Sequence, residues 1–165
     1  VATFLALHPE CVSFHELITK NENYRNKLIE LNKIHKFVID SSTYGFLPQS
    51  TFEQSKKVYL ARNIWESKKS AEAALNVPID EKVYFEYLWE IKQWRAKYEP
   101  LTIRFEELFE VKTLKRIWIY CFGNEDYFME EKAEHFIDMN IQTNHPEVIF
   151  EKTILERINK QLCQH

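Results

Sequence analysis

Lys57-Val58-Tyr59-Leu60-Ala61-Arg62-Asn63-Ile64-Trp65-Glu66-Ser67-Lys68-Lys69-Ser70 joins a strand candidate directly to a helix candidate. Val58 to Ala61 is a short apolar run that suits a strand buried on both faces, and it ends at Arg62. Asn63 is placed to cap a following helix, because its side-chain oxygen can take the unpaired N–H groups of a first turn. That helix is predicted to run through Trp65, Lys69 and Ala73 toward Asn76 and Pro78. A strand that ends on an arginine and turns directly into a capped helix is a layout that binds anions.

The same alternation continues on either side. Val1 to Leu7 reads as helix and stops at His8-Pro9, since the residue before a proline is pushed out of the helical region. Cys11 to Phe14 is a strand candidate, Asn21 a cap for a helix with Tyr24, Leu28, Leu31 and His35 on one face, and Phe37 to Ile39 a second strand ending at Asp40. Beyond Pro78, Asp80 or Glu81 opens a longer helix with a wide aromatic face. Leu101 to Phe105 resumes strand alternation, and Leu114, Ile117, Trp118 and Cys121 share a helix face. The residues from Asn124 onward read as helical. This order predicts an α/β domain with a mostly parallel sheet flanked by helices and a helical C-terminal part, all 165 residues forming one domain.

Composition narrows the partners. With 22 basic and 25 acidic side chains the formal charge is −3, so no broad field attracts nucleic acid or a membrane surface, and neither is expected as a partner. Cys11, Cys121 and Cys163 are far apart and lack zinc or disulfide spacing, and the six histidines show no ligand spacing; no metal is expected. No apolar run is long enough for a membrane span and no leader pattern follows Val1, so the expectation is a soluble, cytoplasmic protein. Only Gly45 and Gly123 are glycine, so no Gly-rich phosphate loop can be written within the chain. The sequence says nothing of oligomeric state.

In a parallel sheet, ligands meet the carboxyl ends of the strands. The polar groups expected there are His15-Glu16, Asp40-Ser41-Ser42, Arg62-Asn63 and Glu106-Glu107.

These segments, in this order, resemble the sulfotransferase family. Arg62, Asn63, Glu66 and Ser70 are similar to its second phosphate motif, in which an apolar strand ends in Arg-Asn-Pro or Arg-Asp-Pro, an acid follows, and a serine lies on the next helix; Ile64 stands where the family usually has proline. His8-Pro9-Glu10 through Phe14-His15-Glu16 resembles the family's "HPD…FGE" segment. Phe37 to Ser42 resembles its strand ending in Asp-Lys-Thr/Ser-Pro, without the lysine and proline. Leu101 to Leu108, with Leu114 to Ile117 and Cys121-Phe122-Gly123, resembles its "IRYEDL…RI..FLG" stretch. The likeness covers roughly residues 1 to 123.

The resemblance implies a P-loop NTPase-like fold and transfer of a sulfuryl group from 3'-phosphoadenosine 5'-phosphosulfate (PAPS) to a hydroxyl or amine on a small molecule or glycan, with adenosine 3',5'-bisphosphate (PAP) as product. It makes Arg62 and Ser70 the 3'-phosphate ligands and puts Phe105 near the adenine, in the place of a family tyrosine. The family's 5'-phosphosulfate loop has no counterpart here and is expected upstream of Val1, unless the protein is a degenerate relative. Transfer needs a base for the acceptor proton; Glu16 is the first candidate and His15 the second. Asp40, Ser41 and Ser42 are candidates to line the acceptor pocket. Simpler readings stand beside each: Arg62 paired with Glu66, Phe105 in the core, a capped turn at Asp40, a loop carboxylate at Glu16. Two other functions stay open, a non-catalytic nucleotide-binding or protein-interaction module and a P-loop nucleotide kinase. Trp65, Trp89, Trp94 and Trp118, at core-like helical spacing, are expected to pack inside.

Overall fold

The computed structural model describes residues 1–15, 23–41, 53–138 and 149–150. They form an α/β structure that divides into two compact units, Val1–Gly45 with Phe122–His165, and Phe46–Cys121.

In the first unit, helix α1 (Ala2–Leu5) leads into strand β1 (Cys11–His15), helix α2 (Tyr24–Ile34) and strand β2 (Phe37–Ser41). β1 and β2 run parallel, in register from Cys11 opposite Phe37 to His15 opposite Ser41. Parallel neighbours need a crossover connection, and α2 lies within it. α1 is fully buried, as are Cys11, Val12 and Ser13, and the Ser13 hydroxyl donates to the Ala2 carbonyl at 3.0 Å. The Ala2 carbonyl also accepts from the Ala6 N–H, so the bond chiefly satisfies the buried Ser13 hydroxyl. The Phe4 ring is set edge-on to Phe128 and to Phe136, the latter on helix α6 (Glu130–Asp138). Glu130, Glu131 and Glu134 are exposed, while Ala133 is buried.

Three local expectations change. α2 starts after Asn23, whose side chain makes no capping bond, and Asn21 lies outside the described residues. The C-terminal part is not helical throughout: β5 (Ile149–Phe150) pairs antiparallel with β1, Phe14 opposite Phe150. Two residues are too few for period-2 alternation to register, so sequence pattern could not announce it. Finally, the described strands form two small sheets, β2-β1-β5 and a separate pair, rather than one mostly parallel sheet.

That pair makes up the sheet of the second unit. Strand β3 (Val58–Ala61) is followed by helices α3 (Ile64–Leu75) and α4 (Glu81–Tyr98), then by strand β4 (Leu101–Arg104). β3 and β4 are parallel, Val58 opposite Leu101 and Ala61 opposite Arg104. The helix boundaries follow side-chain chemistry. Asn63 Oδ1 accepts from the backbone N–H groups of Trp65 and Glu66 at 3.0 and 3.3 Å, and Asp80 Oδ1 does the same for Lys82 and Val83 at 2.9 and 3.2 Å. Asn76 and Glu99, with φ of 54° and 45°, end the two helices in the left-handed region. Ile103, at the centre of β4, is fully buried, with Tyr84 and Ile91 of α4 nearly so. β3 is half-buried rather than covered on both faces, and Leu60 is 38% exposed. Its register partner Ile103 on β4 is fully buried, so cover over the sheet reaches β4 but leaves β3 partly open. A turn of 3-10 helix, Phe105–Phe109, leads from β4 into helix α5 (Val111–Phe122), on which Leu114, Ile117 and Trp118 are buried.

Candidate functional site

β3 delivers Arg62 to the carboxyl end of its sheet, directly before the capped start of α3. Because Ala61 stands opposite Arg104, the next residue on each strand, Arg62 and Phe105, emerges at the same level of the sheet. The guanidinium carbon lies 4.7 Å from the centroid of the Phe105 ring. Its Nε stands 3.6 Å from Glu66 Oε2, beyond hydrogen-bond range and in a setting open enough to weaken the attraction, with side-chain exposures of 34% and 61%. Glu66 is in the first turn of α3, and Ser70, exposed, is one turn further along the same face. Of the two simpler readings, Arg62 does face Glu66, as a loose ion pair, whereas Phe105 is half-buried against the arginine rather than enclosed in the core. What the sequence did not reveal is that Phe105 offers its ring to the arginine; the signal would have been the register of β3 against β4, which no local pattern carries.

The start of α3 is braced from the next helix. Tyr84 donates its phenolic hydrogen to the Ile64 carbonyl at 2.7 Å. The carboxylate of Glu72 accepts from Lys68 Nζ and from the backbone N–H of Ile79, closing the loop between α3 and α4. These bonds hold the Glu72 carboxyl below its ordinary pKa, the Lys68 bond most strongly.

In the first unit, β1 and β2 end side by side. His15 is opposite Ser41 and Phe14 opposite Asp40, so two of the candidate acceptor residues share a strand end with a candidate base. Glu16 and Ser42 lie outside the described residues. Arg62, Ser70 and Phe105 belong to the second unit, and His15, Asp40 and Ser41 to the first.

A shallow cavity of about 440 Å³ lies elsewhere in the second unit, lined by Arg104, Glu107, Glu110, Lys112, Thr113 and Arg116. Its charges answer one another. Arg104 Nε donates to Glu107 Oε1 at 2.7 Å and Lys112 Nζ stands 2.9 Å from Glu110 Oε2. The Arg104 guanidinium accordingly holds the Glu107 carboxyl below the usual carboxylate range. Arg62, Ser70 and Phe105 take no part in this cavity.

The tryptophans divide. Trp118 is fully buried and Trp94 half-buried, but Trp65 and Trp89 are 48% and 63% exposed, which corrects the expectation that all four pack inside. Trp65 instead meets the exposed Phe85 edge-on at 6.1 Å. Helical spacing reports which residues share a face, not whether anything covers it. Cys11 is buried, and burial pushes the Cys121 thiol up to about 11; Cys163 lies outside the described residues. Among the described residues no group of three or more His, Cys, Asp or Glu side chains is arranged to hold a metal, and no helix is long and apolar enough to cross a membrane. Comparison with protein-family models, with curated proteins and with solved structures finds no match to the chain.

Proposed function

We propose that this protein binds a 3'-phosphorylated adenosine nucleotide at Arg62 and Ser70 and acts as a PAPS-dependent sulfotransferase, with a P-loop NTPase-like sulfotransferase fold. The observation that carries the reading is the position of Arg62: a guanidinium at the carboxyl end of β3, next to the capped N-terminus of α3, with Ser70 further along that helix. A forked donor and the positive end of a helix dipole both favour a phosphate dianion. On this reading the acceptor hydroxyl or amine attacks the sulfur of PAPS in line. The bond from sulfur to the bridging oxygen breaks, PAP leaves with the electron pair, and the acceptor proton passes to Glu16, or to His15 in its place. Asp40, Ser41 and Ser42 would orient the acceptor, a small molecule or glycan. A cytoplasmic setting is part of the proposal and agrees with the unpaired spacing of the three cysteines.

Calorimetric titration with PAP tests it. Wild type should bind and Arg62→Ala should bind far more weakly; unchanged affinity in the variant rejects the site. A non-catalytic nucleotide-binding module is the second reading, favoured by the lack of a Gly-rich loop among these residues. PAP binding without transfer of labelled sulfate from PAPS to any acceptor would select it.

A further inference from the structure

One face of the Phe105 ring is already in use: the Arg62 guanidinium carbon lies 4.7 Å from the ring centroid, and the Phe109 ring stands edge-on to Phe105 at 5.9 Å. The contact with Arg62 follows from backbone register, because parallel pairing of Ala61 with Arg104 brings the next residues of the two strands out together. Glu66, one helical turn beyond Arg62 in sequence, offers a carboxylate 3.6 Å from its Nε. The arginine is therefore supported by a ring and attended by an acid that is more exposed than itself. An aromatic face attracts a guanidinium without neutralising it, so the charge stays available to an anion. A loosely paired, exposed carboxylate is easily displaced.

Resting on the nucleotide reading above, we infer that Phe105 is a positioning residue for Arg62 rather than a platform for the base, and that Glu66 is a resting counter-ion which the 3'-phosphate displaces. The ring restricts the long arginine side chain to one approach, so less rotamer freedom is lost when the phosphate arrives. Selectivity for a nucleotide bearing a 3'-phosphate then depends on Phe105, whereas affinity for the adenine does not.

Titration of wild type, Phe105→Leu, Phe105→Tyr, Arg62→Ala, the Arg62→Ala/Phe105→Leu double variant and Glu66→Gln with PAP and with adenosine 5'-monophosphate separates these roles. Phe105→Leu should weaken PAP about two- to fivefold, the range expected for an exposed cation–π contact, and leave the monophosphate unchanged. Phe105→Tyr, which keeps the ring face, should restore PAP affinity. The double variant should bind PAP no worse than Arg62→Ala alone, because the ring acts only through the arginine. Glu66→Gln should tighten PAP by up to about fivefold, the scale of an exposed ion pair. Equal weakening of both nucleotides by Phe105→Leu would show that the ring stacks the base and would overturn the inference while leaving the nucleotide reading intact. Failure of wild type to bind PAP would overturn both. Thermal midpoints of each variant identify any that are unfolded, and for these Phe105→Tyr and Glu66→Gln carry the test.

Discussion

The hydroxyl of Tyr84, on α4, donates to the carbonyl of Ile64, the first residue of α3, at 2.7 Å. Tyr84 is 7% exposed, so the phenol has little water to fall back on. The bond fixes the start of α3 against the helix that follows it, and the two residues immediately before Ile64 are the cap Asn63 and the arginine of the candidate site. Tyr84→Phe keeps the ring and removes the hydroxyl, and with it the bond to Ile64 and a hydrogen bond shared with the Ser67 side chain. It should cost about 1–2 kcal/mol, the usual net value of one to two hydrogen bonds, and lower the urea midpoint without changing the slope. An unaltered midpoint would mean that water replaces the phenol at Ile64.

Asn63 closes the same helix end from the other side. Asn63→Ala should destabilise the protein by about 1 kcal/mol, and Asn63→Asp should retain most of that stability because its carboxylate can accept the same Trp65 and Glu66 N–H groups. Equilibrium unfolding of the two variants side by side checks the expectation. Equal destabilisation by both would argue against capping.

Glu72 links stability to pH. Its carboxyl is held below the ordinary value by Lys68 and the Ile79 N–H, so the folded state releases that proton more readily than the unfolded chain. The stabilisation is present above the unfolded carboxylate pKa and is lost as pH falls through the lower folded one. Thermal midpoints should therefore drop more steeply on acidification in wild type than in Glu72→Gln, which is less stable at neutral pH. Parallel curves for the two proteins would exclude the effect.

Cys121 gives the opposite sign. Burial raises its thiol from 9.0 to about 11, so between those values the unfolded chain ionises first and stability falls as pH rises. The loss is on the order of 2 kcal/mol over that window, and Cys121→Ala should be spared it. At pH 8 iodoacetamide should label Cys121 slowly in the folded protein and quickly in urea, as read by mass spectrometry of its peptide. Fast labelling of the folded chain would show that the thiol is accessible as thiolate.

Tryptophan exposure is testable directly. Trp89→Phe and Trp65→Phe should each remove emission that acrylamide quenches readily, and change stability by less than about 0.5 kcal/mol. Trp118 is fully buried, so Trp118→Ala should cost about 3–5 kcal/mol. Quenching that is unchanged in the first two variants would show that something covers that face in solution.

Local chemistry was legible in the amino-acid sequence. β3 spans Val58–Ala61 as its four apolar residues indicate, Asn63 caps α3, Asp80 caps α4, and α4 ends just before Pro100. Each of these depends on residues within one or two turns of each other, and capping, proline sterics and short-range periodicity act at that range. The parallel pairing of β1 with β2 and of β3 with β4 agrees with the alternation of strands and helices, but the division into two small sheets and the addition of β5 do not follow from it. Arg62 stood out as a strand-end arginine from the apolar run that precedes it. Its neighbours across the sheet did not. The contact with Phe105 requires Ala61 to stand opposite Arg104, a register set by residues more than forty positions apart, and the exposure of Trp65 and Trp89 depends on what lies over their helices. Pairing and coverage are properties of distant segments brought together, and a one-dimensional pattern carries neither.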